Sequence, residues 1–180
     1  MTDTALLLID IQNMYFVGDG RLENPEEASR NAGKLISTFR EKGLPVIHVK
    51  HLINITKAKD IPLAEIHEFV TPLENETVIG KTRPSAFYAT NLQETLEALG
   101  VKNLVVAGMM SHMCVDTTVR AAFDLGYTIM LADDACADRA VIYRGIKITA
   151  EISHYAFMAA LGERFATLMK TSEIVDKINE

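Results

Sequence analysis

The chain has 180 residues, 48% of them hydrophobic, with 18 basic and 24 acidic side chains for a formal charge of −6. No Pro/Gly/Ser-rich or charge-run segment divides it, so one domain spanning 1–180 is expected. The charges form no basic stripe and no apolar run approaches the ~20 residues of a bilayer span, which disfavours nucleic acid and membranes as partners.

The start passes from Met1-Thr2-Asp3 straight into Ala5-Leu6-Leu7-Leu8-Ile9-Asp10. With no leader pattern ahead of it, the chain reads as cytoplasmic. The run is apolar on both faces, as in a central parallel strand, and it closes on a carboxylate. Asn24-Pro25-Glu26-Glu27 then reads as a helix start, with Asn24 as N-cap and acids in the first turn, and Gly43 as its stop. Pro45 to Val49 is the second strand. Residues 51–76 are polar and irregular, and Thr77-Val78-Ile79-Gly80 is a third strand delivering Lys81 just past its end. A helix over Thr90–Leu99 stops at Gly100, a strand covers Asn103–Ala107, a helix covers Val115–Leu125 and stops at Gly126, and Tyr127–Leu131 is the next strand. A helix over Ala150–Leu161, a last strand near Phe165–Met169 and a tail helix from Ser172 follow. Buried strands alternating with helical segments predict a doubly wound α/β fold in three α/β/α layers.

In open parallel sheets ligands bind beyond the carboxyl ends of the strands. Asp10, Lys81 and Cys114 all fall in such positions. Cys114 follows the turn Gly108-Met109-Met110-Ser111-His112-Met113 at or beside a helix start. Unpaired amides, the helix dipole and a cation such as Lys81 are expected there to lower a thiol pKa from ~8.5 toward neutrality or below. The same amides suit an oxyanion hole. Each residue also has a plain alternative: Cys114 as core packing, Asp10 as a cap or surface ion pair, Lys81 as part of a charged loop with Arg83. Neither Cys136 nor the histidines show zinc-helix spacing, and Cys114 and Cys136 make no CxxC pair, so no metal is expected. His112, two residues before Cys114, is the exception to watch. After the first strand, Asp10-Ile11-Gln12-Asn13-Met14-Tyr15-Phe16 holds no Gly-rich phosphate loop, so no nucleotide cofactor is expected.

Read together, Leu7-Leu8-Ile9-Asp10-Ile11-Gln12-Asn13, Lys81 with Pro84-Ser85-Ala86-Phe87, and Gly108-Met109-Met110-Ser111-His112-Met113-Cys114-Val115 with Thr118 and Arg120 resemble the isochorismatase-like cysteine hydrolases over nearly the whole chain. The resemblance implies a mainly parallel six-stranded sheet. It implies that Asp10 accepts the thiol proton, Lys81 supports the pair, and Cys114 attacks a carbonyl carbon to form a thioester that water hydrolyses. It also implies a non-proline cis peptide before Ser111, an oxyanion hole from the Met110 and Cys114 amides, and a homo-oligomer, dimer or tetramer. Metal-binding relatives such as nicotinamidases carry an Asp-x-His motif where this chain reads His48-Val49-Lys50-His51-Leu52-Ile53-Asn54, which argues against a metal. Phe16, Phe87, His112 and Tyr15 are the substrate-facing candidates, suited to a small amide or carbamoyl compound. Two alternatives stand beside this amidohydrolase: an isochorismatase-type vinyl-ether hydrolase that does not need the cysteine, and a non-catalytic binding or redox-sensing protein on the same fold.

Overall fold

The computed structural model describes residues 2–53 and 61–180. Its strands are β1 (Thr4–Ile9), β2 (Val46–His51), β3 (Thr77–Lys81), β4 (Asn103–Met109), β5 (Thr128–Ala137), the pair β6 (Val141–Tyr143) and β7 (Ile146–Ile148), and β8 (Thr167–Met169). The helices are α1 (Pro25–Glu41), a single turn α2 (Ile61–Ala64), α3 (Leu92–Ala98), α4 (Asp116–Asp124), α5 (Ala150–Arg164) and α6 (Thr171–Asn179). Among the described residues no helix is long and apolar enough to cross a membrane.

Six strands form one sheet in the order β3-β2-β1-β4-β5-β8, and every neighbouring pair is parallel. The period of two decides the layers. Ala5, Leu7 and Ile9 of β1, with Leu104 and Val106 of β4, face α3, α4 and α5 through Leu92, Leu96, Val119, Ala122, Met158 and Leu161. Leu6, Leu8, Val105 and Ala107 face the opposite way onto α1 and α6, through Leu35, Phe39, Ile174 and Ile178. Both faces are covered, which is why β1 and β4 read as unbroken apolar runs.

The chain runs outward from β1 through β2 to β3, then returns to β4 on the other side of β1. The direction of winding reverses between β1 and β4, where a crevice opens beyond the strand ends. Gly108 lets the two strands close there. Its φ is +144°, and a Cβ would stand 2.1 Å from the Ile9 carbonyl oxygen, so no side chain fits.

Local expectations differ from the fold in three places. Asn24 precedes α1 but makes no side-chain cap bond, because its φ of 47° is left-handed and a capping side chain needs an extended backbone. Helical structure ahead of α4 begins at Ser111, in a π-type turn over Ser111–Val115, so Cys114 lies inside the first helical turn and not at its opening. The β6–β7 hairpin has no counterpart in the expected elements. Its turn residues Arg144 and Gly145 both have positive φ, 50° and 81°, the geometry of a tight two-residue hairpin loop.

Candidate active site

Asp10 follows the last residue of β1 in a left-handed conformation, φ 50°, a region that aspartate tolerates better than most residues. Its amide donates to the Val49 carbonyl at 3.0 Å, which ties it to the end of β2. Lys81 is the last residue of β3, not the one beyond it. Two strand spacings of about 4.8 Å separate β3 from β1, and the lysine stem covers that gap: Lys81 Nζ stands 2.6 Å from Asp10 Oδ2, with neither side chain exposed. Cys114, 5% exposed, approaches from the β4 side, its Sγ 3.2 Å from the same Nζ. The three residues named from the sequence are thus brought together at the reversal of the sheet.

Two further acceptors complete the surroundings of Lys81: the Arg83 carbonyl at 3.1 Å and His51 Nδ1 at 3.0 Å. The loop after Lys81 is pinned by Thr118 of α4, whose Oγ1 accepts the Ala86 amide at 3.0 Å and donates to the Pro84 carbonyl at 3.4 Å. That anchors Pro84-Ser85-Ala86 and explains why Thr118 belongs to the same pattern as Lys81.

Burial raises the Asp10 carboxyl above its ordinary value, opposed by the charge and hydrogen bond of Lys81. Burial also pushes the Cys114 thiol up to about 12, the Asp10 charge adds to this, and Lys81 pulls the other way. The expected low thiol pKa is therefore overturned. The sulfur lies inside the turn, where lost hydration outweighs one shared cation.

The non-proline cis peptide is Met109–Met110, one bond earlier than expected. β4 continues through Met109 and the helical turn opens at Ser111, so Met110 alone makes the junction. The Met110 carbonyl accepts the Met113 and Val115 amides, at 3.0 and 3.2 Å, which holds the turn around Cys114.

The four aromatic candidates separate. Phe16 is 7% exposed and its ring stacks on His67 with centroids 3.6 Å apart, in the core on the α1 face. Phe87 packs half-buried on the opposite core, which also contains Cys114, against Tyr127. Burial pushes the phenol of Tyr15 up, and the charge of Asp10 adds to that. His112 bonds through Nδ1 to the buried Asp138 carboxylate, which also accepts Ser153 Oγ at 2.8 Å and the Arg139 amide at 2.9 Å.

Sequence reasoning passed over His51 and Gln12. Gln12 is fully buried; its Nε2 donates to the His51 and Ala64 carbonyls at 3.1 and 2.7 Å, and its Oε1 accepts the His51 amide at 2.8 Å. The available signal was Gln12 itself, a polar residue three positions beyond a buried strand end. Asp10, His51 and Cys114 bring one metal-type donor atom each to within 4.8 Å of one another. Lys81 Nζ already stands at contact distance from all three. A divalent ion would have to displace that ammonium, so this donor set does not fit a metal. Of the irregular stretch 51–76, residues 54–60, including Asn54, lie outside the described residues.

With this geometry in view, comparison with known proteins is informative. A family model described as Isochorismatase domain matches residues 4–173. An isochorismatase family protein of Bacillus subtilis is 50% identical over 175 residues, covering 94% of this chain and 97% of the relative. A secreted isochorismatase effector of Verticillium dahliae is 34% identical, covering 96% and 90%. The crystal structure of an isochorismatase from Pseudomonas putida superposes with a TM-score of 0.91 at 37% identity, covering 96% of this chain and 90% of that one. That of N-carbamoylsarcosine amidase from Thermoplasma acidophilum superposes with a TM-score of 0.75 at 27% identity, covering 94% and 96%.

Proposed function

Since the chain belongs to the isochorismatase family of hydrolases, we propose that it is a single-domain cysteine hydrolase cleaving the C–N bond of a small amide or carbamoyl compound. The observation that carries this is Lys81 Nζ standing 2.6 Å from Asp10 Oδ2 and 3.2 Å from Cys114 Sγ in a buried site.

Asp10 takes the thiol proton as the sulfur attacks the carbonyl carbon. Lys81 offsets the charge that moves from carboxylate to sulfur, and the Met110 and Cys114 amides receive the developing oxyanion. Protonated Asp10 then donates to the leaving nitrogen, the C–N bond breaks, and the thioester is hydrolysed by a water that Asp10 deprotonates. Neither a cofactor nor a metal enters these steps. A raised carboxyl pKa suits the role, because a base closer in pKa to the thiol exchanges its proton more readily. Tyr15, Phe87 and His112 frame the substrate, with Phe16 behind Tyr15 in the core.

We place the protein in the cytoplasm, supported by its low cysteine content, two in 180 residues. A homo-oligomer, dimer or tetramer, is supported by the exposed apolar hairpin residues Ile142, Tyr143 and Ile146; light scattering in solution tests it.

The enzymatic test is ammonia release from a panel of small amides and carbamoyl compounds, with Cys114→Ala and Asp10→Asn alongside. Release lost in both variants is expected. No ammonia from any compound, with a vinyl-ether substrate turned over by Cys114→Ala but not by Asp10→Asn, would point instead to ether hydrolysis.

A further inference from the structure

Lys81 has three N–H groups and four partners: Asp10 Oδ2 at 2.6 Å, His51 Nδ1 at 3.0 Å, the Arg83 carbonyl at 3.1 Å and Cys114 Sγ at 3.2 Å. Asp10 is the one partner with a full negative charge while the sulfur is protonated, so Coulomb attraction alone would draw the ammonium onto the carboxylate and away from the sulfur. His51 and the Arg83 carbonyl oppose that movement from the side of β2 and β3, where His51 and Lys81 are direct register partners. His51 is itself held at both its backbone amide and its carbonyl by the buried Gln12 amide.

We infer that His51 is a positioning residue of this site: its imidazole accepts one Lys81 N–H at Nδ1 and keeps the ammonium shared between Asp10 and Cys114. This rests on the roles proposed above for Asp10, Lys81 and Cys114. Nδ1 can accept only in the neutral ring, so the ring proton sits on Nε2. Burial and the Lys81 charge both favour that neutral form, and Asp10 opposes them. On protonation the ring turns from acceptor to donor and repels the ammonium. Among the described residues, the charged and titratable groups facing it are Lys81, Asp10 and Cys114.

The test needs no substrate. Cys114 is alkylated with iodoacetamide and followed by mass spectrometry in the wild type, His51→Leu and His51→Asn, with circular dichroism as a check on folding. Leucine offers no acceptor, and its Cys114 should react about tenfold more slowly near neutral pH, the effect of weakening one charge-assisted bond to the thiolate by roughly 1.4 kcal/mol. Asparagine places Oδ1 close to the position of Nδ1 and should react within about threefold of the wild type, since it keeps the bond. Asparagine does not titrate, so the ratio of its rate to the wild-type rate should rise as the pH is lowered below the ordinary histidine range, since burial and the Lys81 charge keep the His51 ring neutral down to there. Equal rates in the wild type and His51→Leu would overturn the inference. So would a folded His51→Asn as slow as the leucine variant, or a ratio independent of pH. If His51→Leu does not fold, the pH dependence of the asparagine ratio decides alone. Failure of every amide in the panel would count against the hydrolase reading and leave this outcome intact.

Discussion

Lys81 Nζ and Asp10 Oδ2 meet at 2.6 Å with no exposed side-chain surface on either residue, although their strands are separated in the sheet by β2. Removing one partner of such a pair leaves a buried charge uncompensated. Lys81→Met should therefore destabilise the fold by about 3–5 kcal/mol. The double variant Asp10→Asn with Lys81→Met should recover most of that loss. Urea unfolding of the two single variants and the double one measures the coupling; strictly additive effects would contradict it.

The same electrostatics separates thiol reactivity from turnover. The Asp10 charge helps to hold the Cys114 thiol up at about 12, so Asp10→Asn should leave Lys81 to stabilise a thiolate on its own. Iodoacetamide should then label Cys114 faster than in the wild type at mildly alkaline pH, while amide hydrolysis is lost with the base. Slower labelling in Asp10→Asn would mean that the carboxylate promotes the thiolate instead of opposing it.

Gly108→Ala inserts a methyl 2.1 Å from the Ile9 carbonyl oxygen at a φ of +144°. β1 and β4 must separate at the residue before Asp10. The expected loss is at least about 2 kcal/mol, from backbone strain combined with steric overlap, read from the urea midpoint. Gly43→Ala, at a positive φ but in open space, controls for strain alone and should cost less.

Glu76 supplies a pH signature remote from Asp10, Lys81 and Cys114. Burial raises its carboxyl, but Arg40, the Leu73 amide and His48 outweigh that and hold it at about 2; the Arg40 contact is 2.7 Å. A depressed acid contributes stability that is present above its unfolded value and lost as pH falls through the folded one. The stability gap between the wild type and Glu76→Gln should thus be constant above about pH 5 and close between there and pH 2. Urea titrations across that range test it.

Much of this was legible in the chain itself. Apolar runs ended by a carboxylate, a lysine and a turn opening at Gly108 marked where β1, β3 and β4 finish; β1 and β4, buried on both faces, have no room for polar side chains until they leave the sheet. The shifted boundaries and the hairpin were less legible. Helical structure beginning at Ser111 depends on how β4 ends at Met109, and β6–β7 are three residues each, too short for a period of two to register.

What the sequence by itself determined was the α/β alternation and the three residues Asp10, Lys81 and Cys114, since strand ends and turns are written in neighbouring residues. The tertiary structure alone decided that Lys81 reaches across β2, that His51 and Gln12 join the site, and that Cys114 is buried deeply enough for lost hydration to push its thiol up. Those outcomes depend on strand register and on the water excluded by two packed layers, quantities summed over the whole sheet and carried by no local segment.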